Sequence, residues 1–335
     1  MSAVPRLMRA MVIDRFGGPE VLRLAEVPVP EPGPGEVLIR VSHAGINPAD
    51  WKCREGWLAP FFECRFPFVL GFDLAGVVVK AGEGSAGVAP GDRVVAYSRQ
   101  GQGEWGSYAE YVRASVDGVA HLPPDLGEAE AAAIPTAGIT AWEGLFEAGR
   151  LGAGQKVLIH GGAGGVGGYA IQLARHAGAE VAATCGPANQ DYVRDLGAAL
   201  AIDYRDGDIG AKLAQWAPQG VDLILDAVGC GSLPRAPEMV RRGGIIAAIA
   251  TLVADEAPHD AASAAQRDVR IVPTMGNYAR SGAQLRQLVA LFGKGGLRSP
   301  PLSILPLQEA AEAHRRVQSG HVRGKIVLRV SGAGA

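Results

Sequence analysis

Val157-Leu158-Ile159-His160-Gly161-Gly162-Ala163-Gly164-Gly165-Val166-Gly167 carries an aliphatic run straight into a glycine loop, and the residues after it place Ala170, Leu173, Ala174 and Ala177 on one helical face. A strand, a Gly162-x-Gly164-x-x-Gly167 loop and a helix start, in that order, make an anion site. Loop amides and the positive end of the helix dipole converge on one point. In this reading Gly162 allows the tight turn, Gly164 lets the backbone approach a pyrophosphate, and Gly167 lets the helix pack on the sheet. Val157 to Ala174 holds no Asp, Glu, Lys or Arg and is long enough to raise the question of a membrane helix. Gly161, Gly162, Gly164, Gly165, Gly167 and Gly168 answer it by breaking the stretch into strand, loop and helix start. The stretch therefore predicts the first strand-helix unit of a doubly wound parallel sheet, with a dinucleotide as ligand.

Outward from this loop the rhythm of strand then helix continues. Strands are predicted at Lys156 to His160, Glu180 to Cys185, Ala199 to Tyr204, Val221 to Val228, Gly244 to Ala250 and Val269 to Met275. Upstream, from Ala10 to Ser115, the pattern is short β-branched runs broken by glycine and proline, as in a small β-barrel or sandwich. These runs are Arg9 to Asp14, Val21 to Glu26, Glu36 to Ala44, Leu74 to Lys80, Arg93 to Tyr97 and Tyr108 to Arg113. Downstream come two helical patterns, Gly282 to Phe292 and Leu307 to Gln318, and a last strand at Lys325 to Val330 that returns to the first domain. At 335 residues the chain is long enough for two cores.

About twenty residues past the loop, a site preferring NAD offers Asp or Glu to the ribose 2′-hydroxyl. This chain offers Thr184-Cys185-Gly186, which repels no 2′-phosphate and tilts the expectation to NADPH, with NADH still open. Asn189 and Arg205 are the nearby groups able to attract that phosphate.

Several motifs follow one another in an order that resembles the medium-chain dehydrogenases/reductases. They are Ala44-Gly45-Ile46-Asn47-Pro48-Ala49-Asp50, Gly71-Phe72-Asp73-Leu74-Ala75-Gly76-Val77-Val78, Gly91-Asp92-Arg93-Val94, the glycine loop, Leu196-Gly197-Ala198, Asp226-Ala227-Val228-Gly229 and Gly324-Lys325-Ile326-Val327-Leu328. The match is closest to the zeta-crystallin-like quinone and enone reductases and runs from Arg9 to Val330. The resemblance implies a GroES-like β-rich catalytic domain, residues 1–132 and 277–335, interrupted by a Rossmann domain, 133–276. It implies hydride transfer from NAD(P)H to a quinone or an α,β-unsaturated carbonyl. It also implies cofactor contacts from Gly162, Ala163, Gly164, Gly165, Val166 and Gly167, and from Thr140, Thr184, Cys185, Asn189, Tyr204, Ala227, Val228, Gly229 and Lys325.

Where the zinc enzymes of this superfamily carry a cysteine this chain has Asn47, and where they carry a histidine-glutamate pair it has Phe72-Asp73. The region of their four-cysteine lobe reads Arg99-Gln100-Gly101-Gln102-Gly103-Glu104-Trp105-Gly106. Catalytic zinc needs about three Cys, His or carboxylate ligands, so no zinc is expected. Lys52 stands at the place of the proton-relay histidine, and its ammonium is expected to orient the ribose or stabilise an enolate. Asn47 is expected beside the nicotinamide and the substrate oxygen; the bland alternatives are a surface lysine and an Asn-Pro turn residue. Trp51, Trp57, Phe61, Phe62, Tyr97, Trp105 and Tyr278 are candidate linings of an apolar substrate cleft.

A net charge of -2 offers no basic field for nucleic acid or acidic membranes. Cys53, Cys64, Cys185 and Cys230 form no CxxC pair and read as reduced thiols. With no secretory pattern in Met1 to Ala10, a cytoplasmic enzyme is expected, and the edge strand Val269 to Met275 predicts a homodimer. The alternative is a dinucleotide-binding structural or regulatory protein with little turnover. Asn47 and Lys52 at the hydride-transfer position favour the enzyme.

Overall fold

The computed structural model describes residues 4–61, 63–101, 104–251, 258–276 and 278–330, the side chain of Tyr278 excepted. The expected linings Phe62 and the Tyr278 side chain, and Gln102 and Gly103, lie outside the described residues. Two compact units make up the chain: Met1–Thr136 with Asn277–Ala335, and Ala137–Gly276.

The first unit opens with β1 (Leu7–Ile13), β2 (Arg23–Pro28), β3 (Glu36–Gly45), α1 (Pro48–Arg54), β4 (Phe68–Val69), β5 (Asp73–Ala81), β6 (Arg93–Tyr97), β7 (Tyr111–Ser115), β8 (Val119–His121) and α2 (Glu128–Ala131). The chain leaves this unit at the start of α3 (Pro135–Trp142). In the second unit come β9 (Lys156–His160), α4 (Gly165–His176), β10 (Glu180–Cys185), α5 (Gln190–Leu196), β11 (Leu200–Asp203), α6 (Ile209–Trp216), β12 (Val221–Asp226), α7 (Ala236–Met239), β13 (Val240–Ile249), α8 (Ala261–Gln266) and β14 (Arg270–Thr274). The return to the first unit supplies α9 (Tyr278–Gly293), β15 (Leu302–Pro306), α10 (Ala310–Gln318) and β16 (Lys325–Arg329).

In the second unit six parallel strands run in the order β11-β10-β9-β12-β13-β14. The order reverses between β9 and β12, and ligands of doubly wound sheets bind at the carboxyl ends of strands flanking such a switch point. Under one face Leu158, Ile202, Leu213, Val221, Ile224, Val240 and Ile246 form a core. Each such aliphatic side chain contributes about 1.5–3 kcal/mol by leaving water. The expected fold class, a β-rich GroES-like unit plus a Rossmann unit, is the one observed.

The first unit holds a small sheet, β2-β1-β4, and a seven-stranded sheet, β15-β16-β3-β5-β6-β8, in which β7 also pairs β3. β3 is fully buried along Val37, Leu38, Ile39 and Val41, so its register is strongly fixed. Beyond its end the backbone turns at Asn47 into α1, and antiparallel pairing of Gly45 with Asp73 brings the starts of two motifs side by side. The last strand, β16, pairs Val327 with Gly45 on the other side of β3.

Three strands are absent from the sequence reading: β4, β8 and β15, each of five residues or fewer. The expected start of the second strand at Val21 is corrected to Arg23, because Pro19–Val21 forms a single 3-10 turn. The helix expected from Leu307 begins instead with a 3-10 turn, Leu307–Glu309, and becomes α-helical at Ala310.

Candidate functional site

In the second unit the sharp turn belongs to Gly161, at φ +85°, and not to Gly162 as the sequence pattern implied. Gly162 is a packing glycine, since a Cβ there would lie 2.9 Å from the Ala183 Cβ. At Gly167 a Cβ would stand 2.2 Å from the Gly161 oxygen, so the start of α4 rests directly on the turn. A Cβ on Gly164 would meet only the Gly161 oxygen, at 3.5 Å, which is ordinary contact. Gly164 is thus bare for a reason outside the protein's own packing. It is the N-cap of α4, whose first-turn amides have no intrahelical acceptor and suit an anion.

A chain of hydrogen bonds holds this turn against the loop after β12. The Gly161 N–H donates to Thr184 Oγ1 at 3.0 Å, and Thr184 Oγ1 lies 2.7 Å from His160 Nδ1. His160 Nε2 lies 2.9 Å from Ser232 Oγ, and that hydroxyl donates to the Gly229 carbonyl at 2.7 Å. Because the Ser232 proton is committed to Gly229, His160 donates from Nε2. Burial, against the pull of Asp226, holds the His160 pKa below its usual value. Asp226 accepts the amides of Val228, at 3.0 Å, and Gly229, at 2.9 Å, and faces His259 Nε2 at 3.0 Å. Burial opposes its ionisation, but the His259 contact, the two amides and His160 outweigh it and keep the carboxyl below the usual range. Val228 is left 49 % exposed at the carboxyl end of β12, as an apolar platform.

At the carboxyl end of β10, Cys185 is buried, its thiol pushed up to about 11 by burial and by Asp203. Tyr204 is exposed, near Gly186, with the Arg205 guanidinium 5.5 Å from its ring centre and Nη2 donating to Tyr204 Oη at 3.4 Å. Asn189 is half-buried at the entry to α5, and Ala163, Gly165, Val166 and Ala227 are half-buried along the two loops. Thr140 is half-buried on α3.

In the first unit Asn47 is only 2 % exposed. Its main-chain N–H donates to Asp50 Oδ2 at 2.7 Å, and its side-chain Nδ2 donates to Asp73 Oδ2 at 2.9 Å. Lys325 Nζ donates to Asn47 Oδ1 and, at 2.9 Å, to the Ile46 carbonyl, and stands 3.7 Å from Asp73 Oδ2. The other Asp73 oxygen accepts the Thr136 N–H at 2.9 Å and its hydroxyl at 2.5 Å. Burial raises the Asp73 pKa and lowers that of Lys325, while the two charges favour one another. Lys52, on α1, is buried, with Nζ 5.4 Å from the centre of the Trp51 ring. Trp51 and Trp57 meet edge to face at 5.0 Å, and Phe72 stacks on Tyr97 at 5.6 Å. Phe61 is 71 % exposed and Trp105 half-buried.

Behind Asp50 lies a polar core that sequence reasoning missed. Asp50 accepts from Gln100 Nε2 at 3.2 Å and from the Tyr108 hydroxyl, and Tyr108 Oη lies 3.1 Å from His314 Nε2. Arg54, fully buried, has Nη1 3.1 Å from His314 Nδ1. An arginine only donates, so His314 accepts at Nδ1 and donates from Nε2 to Tyr108. Burial and Arg54 push the His314 pKa down to about 3; burial and Asp73 push that of Asp50 up to about 7. Arg54 and His314 are 260 positions apart, which leaves no local sequence signal. Among the described residues no three His, Cys, Asp or Glu side chains gather to hold a metal ion.

Comparison with known proteins identifies the family and the fold. Residues 33–124 match the family profile described as alcohol dehydrogenase GroES-like domain, and residues 196–328 match the profile described as zinc-binding dehydrogenase. A chloroplastic quinone oxidoreductase of Triphysaria versicolor is 35 % identical, over 96 % of this chain and 98 % of its own. An NADPH-dependent alkenal/one oxidoreductase of Arabidopsis thaliana is 33 % identical, over 98 % of this chain and 81 % of its own. The solved quinone oxidoreductase of Coxiella burnetii superposes with a TM-score of 0.84 at 33 % identity, covering 97 % of this chain and 100 % of that one.

Proposed function

Because the chain belongs to the quinone and alkenal/one oxidoreductase branch of the medium-chain dehydrogenases/reductases, we propose that it passes hydride from NADPH to a quinone or an α,β-unsaturated carbonyl without zinc. The observation that carries this reading is the Asn47 amide, buried and held between a lysine and a carboxylate with a donor to spare. Bound nicotinamide supplies the hydride; the chain's own residues bind, orient and take up charge. Gly164 gives the pyrophosphate room at the start of α4, while Thr184, His160 and Ser232 keep the two flanking loops in register. Arg205 on the face of Tyr204 supports a preference for the 2′-phosphate, in place of an acidic residue that would repel it.

With Asn47 and Phe72 where the zinc enzymes carry ligands, and no metal ligand set among the described residues, an ordinary ketone would lack several kcal/mol of Lewis-acid stabilisation. A conjugated acceptor delivers the incoming electron pair to an oxygen, where an N–H of Asn47 or the Lys52 ammonium stabilises it before a proton is taken up. A pure binding protein has no use for such donors, which disfavours the structural alternative. The proposed working form is a homodimer that uses the edge of β14, which among the described residues pairs only with β13, in a reducing compartment such as the cytoplasm that keeps its four thiols reduced.

Steady-state kinetics with 1,4-naphthoquinone, a linear enone and ethanol test the reaction. NADPH oxidation by the first two is expected, unchanged by chelators, and Asn47→Ala and Lys52→Ala should each lower turnover about a hundredfold. Robust ethanol oxidation, zinc lost together with activity, or full quinone turnover in the double variant would reject the reading.

A further inference from the structure

We propose that Lys325 and Asp73 are positioning residues that fix the side-chain amide of Asn47 in one orientation and aim its second N–H at the substrate oxygen. The inference rests on the hydride-transfer reading above and assigns Lys325 a task different from holding the dinucleotide.

The two ends of an asparagine amide are almost the same size, and in a neutral setting they exchange at little cost. Here the neighbours forbid it. An ammonium has donors only, so the atom facing Lys325 Nζ is Oδ1; a carboxylate has acceptors only, so the atom 2.9 Å from Asp73 Oδ2 is Nδ2. Turning the amide over would lose both hydrogen bonds and set like against like twice. Each clamp is anchored in turn: Lys325 on the Ile46 carbonyl at 2.9 Å, Asp73 on the Thr136 N–H and hydroxyl. Asn47, Asp73 and Lys325 are 2 %, 0 % and 5 % exposed, so water does not loosen the arrangement.

One Nδ2 hydrogen is committed to Asp73. The other has no acceptor among the described residues, although a buried polar hydrogen ordinarily finds one. An ammonium bonded to Oδ1 draws electron density through the amide and makes that N–H a stronger donor. Charge gathering on a substrate oxygen in the transition state is what such a donor stabilises. Lys325 thus acts on the reaction through Asn47, and its own donors are already directed at Asn47 and Ile46.

The test compares Lys325→Met, which keeps the stem and loses the donors, with the double variant Lys325→Met/Asp73→Asn, which leaves neither buried charge alone if the single variant does not fold. Three readouts are taken on whichever folds by thermal melt: turnover of 1,4-naphthoquinone and a linear enone, NADPH affinity by nicotinamide fluorescence, and the Asn47 side-chain amide signals in a ¹H–¹⁵N spectrum, assigned by their loss in Asn47→Ala. Expected are a turnover at least tenfold lower, NADPH affinity within about twofold of the parent, and displaced Asn47 signals. Undisturbed turnover, or NADPH affinity weakened tenfold with turnover kept at saturation, would overturn the assignment. Should the parent itself reduce neither acceptor, the hydride-transfer reading fails; the amide signals still decide the clamp, and unmoved signals reject it.

Discussion

Gly164 and Gly167 lie three residues apart and answer to different forces. A Cβ at Gly167 would press to 2.2 Å on backbone, so Gly167→Ala should destabilise the protein by about 3 kcal/mol whether or not nucleotide is bound. Gly164 has extended backbone and ordinary clearance; Gly164→Val should melt within a few degrees of the parent and yet bind NADPH at least tenfold more weakly. Thermal melts beside fluorescence titration separate the two, and equal NADPH affinity of Gly164→Val and the parent would remove the loop from the site. Asp50 and His314 form a second contrast. The folded pKa of Asp50 is raised to about 7, so its contribution is full below the unfolded value near 4 and is lost as pH rises to 7. That of His314 is lowered to about 3, so its contribution is full above the unfolded value near 6.5 and is lost as pH falls. Between about pH 4 and 6.5 the two slopes oppose each other. Melting temperature followed across this range should fall more steeply on acidification in Asp50→Asn than in the parent, and parallel curves would show that Asp50 titrates normally.

Among the described residues, β14 pairs on one side only, with β13, and Met275 just past its end is 65 % exposed. An open edge of this kind invites a second copy. Light scattering at micromolar concentration is expected to give a dimer, with Val272→Lys shifting it towards monomer; a monomeric parent would contradict the edge-pairing proposal. How far the elements could be read beforehand followed from where their information lies. β9 and the glycine loop were legible because backbone chemistry dictates their residue types within a dozen positions. β15 was not: Pro300 and Pro301 precede it and Pro306 is its last residue, and it is a strand because β16 lies alongside. The loop pattern puts the turn at Gly162, one residue past Gly161, since a run of adjacent glycines does not say which one takes positive φ. The pairing of Asn47 with Lys325 was illegible for another reason. Sequence marks both residues but not that β3 and β16 place them side by side, and the contact of Arg54 with His314, 260 positions apart, leaves no local signal.

For the molecule as a whole, the first unit is assembled from both ends of the chain, and β16 is an interior strand between β15 and β3. Synthesis runs in one direction, and domains generally fold as they emerge. Every residue of the second unit is therefore delivered before β16, so a ribosome-bound intermediate has a complete nucleotide half and a first unit whose β3 still lacks a neighbour. Protease pulses on chains arrested before Gly320 should find residues 137–276 protected and residues 43–45, the stretch that pairs β16, cut more readily than in the finished chain; early protection of the latter would show that the end of β3 finds another cover. The same late strand brings Lys325 to Asn47, a residue translated 278 positions earlier. On the proposed reading, reductive power is thereby withheld from every unfinished copy: a polypeptide that stops short of β16 lacks the Lys325 contact that aims Asn47.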